Sequence, residues 1–397
     1  MKRWLTRLTA SRTRTVANLS VLGVASAAFI VVATNADGYK ATNIDVNDGS
    51  VWVSDTGRGR VGRLNVVIDE MDFDVTTSPG PDVLQVGRSI VAVDSGGAAT
   101  IDPITGGYAQ PTNGIPVGAY QVGGTTGLVF DAATGNLWTG RASSIVAPEY
   151  PDGAHGRVAP GAKVVVSASG RGYVVEPDAG RWFEVLLDNQ SRPIISAPVL
   201  GTDVTGTVPT TDDAATVDPP ATDTSVPEPG PLIVPTAFTA LTNPVSVATV
   251  VTTVGEQLVF LDPDGSVYGP TGAIAHVPGG DWAIQPPGTD TAPRPGTVLV
   301  ASSEGLFEIT IGSDSVDQIA HNTGHPAQPV RVGRCAYGAW SAEVSSYYTS
   351  CQALENVSLN GVGPGDTLVW RVNQGNVALN STGNGGVWAV HDGRLSE

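Results

Sequence analysis

NIDVNDGSVWVSDTGRGRVGRLN, running from Asn43 to Asn65, decides the fold class of this chain. Apolar residues crowd into Ser50–Ser54 and return in Arg60–Asn65, with a turn rich in Gly between them. Val and Trp favour extended backbone, while Gly and Asp accept the dihedral angles of tight turns. The phrase therefore predicts two antiparallel strands.

The same phrase recurs along the chain as Ser89–Asp94 then Ala98–Asp102, Asn136–Thr139 then Ser143–Val146, and Val164–Ala168 then Gly172–Glu176. It resumes as Gln257–Leu261 then Ser266–Tyr268, and Thr297–Ala301 then Gly305–Ile309, followed by two less regular units, Val330–Trp340 and Leu368–Val390. Units begin about every 33 to 50 residues, close to the span that a four-stranded propeller blade needs. The expected fold is all-β, a propeller of seven or eight blades. Strands apolar on both faces suit positions covered by a neighbouring blade on each side. The terminal GVWAVHD, Gly386–Asp392, resembles GSVWVSD, Gly49–Asp55, as though both strands held equivalent blade positions in a closed ring. Closure would leave no strand edge exposed.

Composition agrees with this fold. The 397 residues include 49 Gly and 29 Pro, only 15% are charged, and 41% are hydrophobic. Such a chain is too apolar for disorder and too rich in turn formers for a helical bundle. Residues 201–235, GTDVTGTVPTTDDAATVDPPATDTSVPEPGPLIVP, form the exception, with no aromatic residue and no Lys or Arg. That stretch cannot bury enough apolar surface to offset the entropy of ordering, so it is expected to be a disordered insertion. A linker dividing two smaller β domains, at about 40–200 and 236–397, is the alternative.

The amino terminus reads as an export element. A basic leader, residues 1–15, precedes the uncharged run VANLSVLGVASAAFIVVA, residues 16–33. Eighteen helical residues rise about 27 Å, enough to cross a hydrocarbon core. The cations on one side orient the leader toward the cytoplasm and residues 37–397 outward. A single-pass signal anchor is expected, with secretion after cleavage near Thr34-Asn35-Ala36 as the alternative.

Of the 21 basic residues, five (Lys2, Arg3, Arg7, Arg12 and Arg14) stand in the leader, leaving 16 against 38 acidic residues beyond it. That field repels phosphate backbones and anionic lipid, which argues against nucleic acid and for solubility, a cation or a basic partner. The two cysteines, Cys335 and Cys351, are close in sequence and are expected to pair in an exported chain.

No catalytic constellation stands out in the sequence. There is no G-x-S-x-G elbow and no phosphate-binding Gly-Lys-Ser loop. The five histidines, His155, His276, His321, His325 and His391, fall in loop-like contexts. Asp262-Pro263-Asp264-Gly265 resembles the start of a calcium loop but has proline at its second place and no acidic twelfth residue, so a β-turn is expected. Trp52, Trp138 and Trp388 are expected to pack between blades. Tyr347 and Tyr348, beside Cys351, are the candidate exposed ligand contact. No cofactor or metal is expected.

VNDGSVWVSDTGRGRVGRLN, together with PAQPVRVGRCAYGAWS and LVWRVNQGNVALN near the end, resembles the N-terminal region of large actinobacterial surface proteins. Those carry a propeller-like ectodomain followed by fibronectin type III or other immunoglobulin-like repeats. The resemblance implies membrane-anchored display or adhesion, with no catalytic residue to carry over. The repeats do not follow in this sequence, which on that resemblance would make the chain a shortened member. The expected function is a non-enzymatic cell-surface binding, adhesion or scaffolding protein, with a protein or glycan of the cell envelope as partner. The alternative is an extracytoplasmic glycan-active hydrolase, which would need two or three carboxylates converging on the propeller axis.

Overall fold

Short Val-rich runs separated by Gly and Asp can pair only with their immediate neighbours, and the chain folds as a succession of antiparallel meanders. A computed structural model describes residues 49–396 apart from 109–110, 112–113, 116–118, 143–152, 188–192, 196–238, 271, 288–295 and 353. The leader 1–15, the apolar segment 16–33 and the insertion 201–235 lie outside the described residues.

Eight sheets follow one another in chain order. Blade 1 holds Ser50–Asp55, Arg60–Asn65 and Glu70–Thr76, and blade 2 holds Asp82–Val86, Ser89–Asp94 and Gly97–Ile101. Blade 3 holds Tyr120–Gly123, Thr126–Phe130, Asn136–Arg141 and Gly156–Arg157. Blade 4 holds Lys163–Val166, Gly172–Glu176, Arg181–Leu187 and Pro193–Ile195. In blade 5 the strands are Val250–Val254, Gln257–Leu261, Ser266–Tyr268 and Ala275–His276, and in blade 6 Ala283–Ile284, Thr297–Ser302, Gly305–Thr310 and Val316–Ala320. Blade 7 begins with two short pieces, His325–Pro326 and Val330–Val332, and continues with Cys335–Ser341, Ser346–Thr349 and Leu354–Ser358. Blade 8 closes the series with Leu368–Asn373, Asn376–Ser381, Gly386–His391 and Arg394–Ser396.

The first strands of successive blades lie side by side, Asp82–Val86 against Tyr120–Gly123, then Lys163–Val166, then Val250–Val254. Leu368–Asn373 of blade 8 returns to Asp82–Val86, and Ser50–Asp55 packs on blade 8. The architecture is an eight-bladed β-propeller, one ring rather than two smaller β domains. Consistent with one ring, the chain on both sides of 196–238 joins the same strand of blade 4. Pro193–Ile195 pairs with its end at Val185–Leu187, and Thr239–Ala240 with its start at Arg181–Trp182.

Cores form between blades as well as within them. Val165, Tyr173 and Val175 of blade 4 meet Leu258, Phe260 and Tyr268 of blade 5. Leu299 and Leu306 of blade 6 meet Ala336, Trp340 and Tyr348 of blade 7, where Trp340 Nε1 donates to Ser302 O at 2.8 Å. Trp52, Trp138 and Trp388 are all buried in this packing. Burial of such side chains from both faces is the main stabilising term of the ring.

Blade 1 closes the ring without a strand next to the axis among its described residues. Ser50–Asp55 is buried like the second strand of other blades, and its inner edge is met by side chains. Trp52 N donates to Gln85 Oε1 at 2.9 Å, and Asn373 Nδ2 donates to Ser50 O at 2.9 Å. Ser54 N donates to Asn380 Oδ1 and Asn380 Nδ2 to Ser54 O, both at 3.0 Å. An amide carries the donor and acceptor of a peptide group, so it can replace a missing ladder partner. Arg371 completes the seam, donating to Val83 O at 2.9 Å and Asp82 Oδ1 at 2.7 Å.

Two expectations are corrected. Gly386–His391 is the third strand of its blade, whereas Ser50–Asp55 takes the place that Asn376–Ser381 holds in blade 8, so the similar end sequences are not equivalent. The third phrase, Asn136–Thr139, finds its partner upstream in Thr126–Phe130, while Ser143–Val146 lies outside the described residues.

Candidate functional site

Each blade is a meander, so its hairpins alternate between the two ends of the ring. Turns joining first to second strands, called AB turns below, meet at one face. Ser167 of blade 4 lies 3.3 Å from Glu256 of blade 5, both in AB turns. Turns joining second to third strands, the BC turns, meet at the other. Thr56 N of blade 1 donates to Thr382 O of blade 8 at 2.8 Å, both in BC turns. In blade 1 the names follow the buried position of its strands, Ser50–Asp55 counting as second.

Seven of the eight BC turns start with or contain a carboxylate: Asp55, Asp94, Asp131, Glu176 with Asp178, Asp262 with Asp264, Glu304 and Glu343. Only the turn of blade 8, Thr382–Gly385, has none, and Asp366 stands beside it, accepting from Asn384 Nδ2 at 3.0 Å.

These carboxylates divide by burial into two sets. One set ends the second strand and ties its turn together. Asp94 accepts from Ser78 N, Gly96 N and Tyr108 Oη, each at 2.8 Å. Asp131 accepts from Ala133 N at 3.0 Å and Thr134 Oγ1 at 2.8 Å. Glu176 holds Arg181 at 2.5 Å, and Asp262 accepts from Thr249 Oγ1 and, at 3.1 Å, from Tyr268 Oη. Burial, with the neighbouring Asp94 or Asp262, pushes the phenols of Tyr108 and Tyr268 well above their ordinary value. Asp262–Gly265 thus closes as a β-turn, as expected. Its Gly265 has φ +84°, and a Cβ there would stand 2.7 Å from the Trp282 ring, so only glycine fits.

The second set, Asp178, Asp264, Glu304 and Glu343, is exposed and none of the four takes part in a salt bridge among the described residues. The Ser266 N–H holds the Asp264 carboxyl below its ordinary range, keeping it charged. The opposite face is mixed in charge, since its turns joining third to fourth strands carry Asp69, Asp102, Asp314 and Asp392. Its described AB turns carry Arg88, Arg171 and Arg334 and one carboxylate, Glu256, which Ser167, Tyr173 and Arg171 share. Spread over a ring, the carboxylates of the BC turns sum to a field that attracts cations.

The axis shows a different chemistry. Among the described residues the first strands bear a single carboxylate, Asp82, and it is bound to Arg371. Amides dominate instead, with Gln121 bridging blades 3 and 4 by donating to Val164 O at 2.7 Å and accepting from Val166 N at 3.2 Å.

The structure places the remaining sequence candidates as follows. Cys335 and Cys351 form the expected disulfide, with Cα atoms 5.1 Å apart, across blade 7. Tyr347 and Tyr348 are not an exposed pair: alternate residues of a strand point to opposite faces, and both faces of Ser346–Thr349 are covered. Tyr347 packs beneath blade 8 and Tyr348 packs in the core shared with blade 6. His155, His276, His321 and His325 are exposed in separate blades, and no group of His, Cys, Asp or Glu among the described residues is arranged to hold a metal ion. The acidic face escaped the sequence reading because nothing in a strand phrase says which end of the ring its turn occupies. The usable signal was an Asp or Glu closing the apolar strand just before a Gly-containing turn.

No protein-family model and no curated protein sequence matches the chain. Solved structures share its fold. The dihydro-heme d1 dehydrogenase NirN in complex with DHE is 10% identical, with 88% of this chain and 72% of that chain covered and a TM-score of 0.51. Apo AztD from Citrobacter koseri is 9% identical over 88% and 93% of the two chains with a TM-score of 0.47, and BamB from Moraxella catarrhalis is 13% identical over 86% and 90% with a TM-score of 0.44. At such identities the likeness concerns the fold alone.

Proposed function

We propose that the chain is a non-enzymatic binding or scaffolding protein, displayed outside the membrane, whose BC face receives a basic protein surface of the cell envelope. The observation that carries this reading is the distribution of charge: carboxylates in seven of eight BC turns, four of them exposed and without a salt bridge. A disulfide in blade 7 supports an oxidising compartment, and the apolar segment 16–33 supports membrane attachment. The glycan-active alternative gains no support from the axis, where the one described carboxylate of the first strands is occupied by Arg371. A ring held by interblade packing presents such a face rigidly, so binding need not pay for ordering it.

The test uses the full chain in detergent and a variant carrying Asp178→Asn, Asp264→Asn, Glu304→Gln and Glu343→Gln. Capture of envelope proteins by the native chain should weaken steeply between low and physiological salt and fall about tenfold or more in the variant, as expected for rim charges that steer association. Capture that is indifferent to both salt and the four substitutions would refute the acidic-face reading.

A further inference from the structure

The turn that joins the last two strands of blade 1 ends in bare apolar side chains. Val67 is 72% exposed and Ile68 59%, with Met71 at 46% just inside the following strand. Ile104, 75% exposed, occupies the equivalent turn of blade 2. The two turns adjoin, since Arg63 of blade 1 donates through Nη1 to Pro103 O at 2.6 Å. Half of the large apolar side chains exposed among the described residues gather at this rim. Exposed apolar residues grouped in this way mark a surface that something covers.

The described chain begins at the same place. Val66 N donates to Gly49 O at 2.9 Å, and Val67 Cγ2 would stand 2.6 Å from a Cβ built on Gly49. Residues 34–48 alone separate this point from the apolar segment 16–33. Fully extended, fifteen residues reach about 50 Å at most. That reach is the upper bound on how far Gly49 can stand from whatever surface holds 16–33.

We infer that Val67, Ile68 and Ile104 rest in the interfacial layer of the bilayer, so that the propeller stands with its AB face toward the lipid and its acidic BC face outward. The inference rests on the reading of 16–33 as a membrane anchor and adds the orientation of the domain upon it. Apolar tips of this size bind weakly alone, but attachment to the same bilayer makes the contact intramolecular. Arg88 and Arg334 are exposed in turns of this face and Arg394 opens the strand after one, placed for lipid phosphates, while Asp69, Glu70, Asp102 and Asp392 stand among them and favour a surface without net charge. Asp69 itself lies 3.6 Å from His391 of blade 8.

The full chain reconstituted in phosphatidylcholine vesicles tests the inference. Both native cysteines are held in the disulfide, so Ile68→Cys introduces a single free thiol for an environment-sensitive fluorophore. Brominated acyl chains should quench this probe about twofold, and a probe at Ile104→Cys likewise, whereas one at Glu343→Cys on the BC face should not respond. The Ile104 site reports independently should Ile68→Cys fail to fold. Ile68 and Ile104 probes quenched no more than the Glu343 probe, on a chain that floats with the vesicles after alkaline washing, would overturn the orientation and leave the anchor standing. A chain that does not float would overturn the anchor, and the orientation with it.

Discussion

Asn380 offers the sharpest perturbation of ring closure. Its side chain is 0% exposed and makes two hydrogen bonds of 3.0 Å to the amide and carbonyl of Ser54, across the seam between blades 8 and 1. Asn380→Ala removes both partners and leaves two backbone groups of a buried strand edge unpaired. Each such group costs about 1–3 kcal/mol, so a loss of about 3–4 kcal/mol is expected, a large fraction of the stability of an ordinary domain. Asn380→Asp retains the acceptor for Ser54 N but turns a second oxygen toward Ser54 O, and is expected to cost at least as much at neutral pH. Asn384→Ala serves as the control, an exposed amide whose bond to Gly361 O is 2.9 Å, expected to cost about 1 kcal/mol or less. Urea unfolding followed by tryptophan fluorescence measures all three. Asn380→Ala and Asn384→Ala unfolding at the same midpoint would refute the idea that amides replace a strand at the seam.

Other consequences are open to direct measurement. Reducing Cys335–Cys351, or replacing both residues by Ala, should lower stability by about 3 kcal/mol, read as a fall in the urea midpoint under reducing conditions. Arg331 is 2% exposed and donates to Glu308 Oε2 at 2.7 Å between blades 7 and 6. Removing the cation alone, as in Arg331→Ala, should cost about 3–5 kcal/mol, and Arg331→Met with Glu308→Leu should recover most of it in the same assay. Tyr108, Tyr173 and Tyr268 have phenols raised above the ordinary value of about 10, first by burial and then by Asp94, Glu256 and Asp262. A folded pKa above the unfolded one means that stability is complete below about pH 10 and is lost as pH rises beyond it. Absorbance titration at alkaline pH should show these tyrosines ionising only as the chain unfolds, and normal titration of all nine tyrosines in the folded protein would contradict the buried pairings.

The repeated strand phrase made the propeller legible in the sequence, because a two-residue period and Gly-centred turns depend only on neighbours in sequence. The disulfide was legible for the same reason, Cys335 opening one strand of blade 7 and Cys351 lying in the turn after the next. Tyr347 and Tyr348 were misplaced because position beside a turn says nothing about the next blade, and the neighbouring blades cover them. The seam was equally hidden: Gln85, Asn373 and Asn380 are far apart in sequence from the strand whose edge they occupy.

What the amino-acid order determined by itself was the class of fold, the approximate blade number, the acidity and the apolar segment before the ring, since each is a local or summed property of the residues. Tertiary structure alone decided how blade 8 meets blade 1, that the second-to-third-strand turns share one face, and hence that carboxylates scattered over some 290 residues, from Asp55 to Glu343, form one surface. A turn's charge is written in its own residues, but the company it keeps is set by the rotation from each blade to the next.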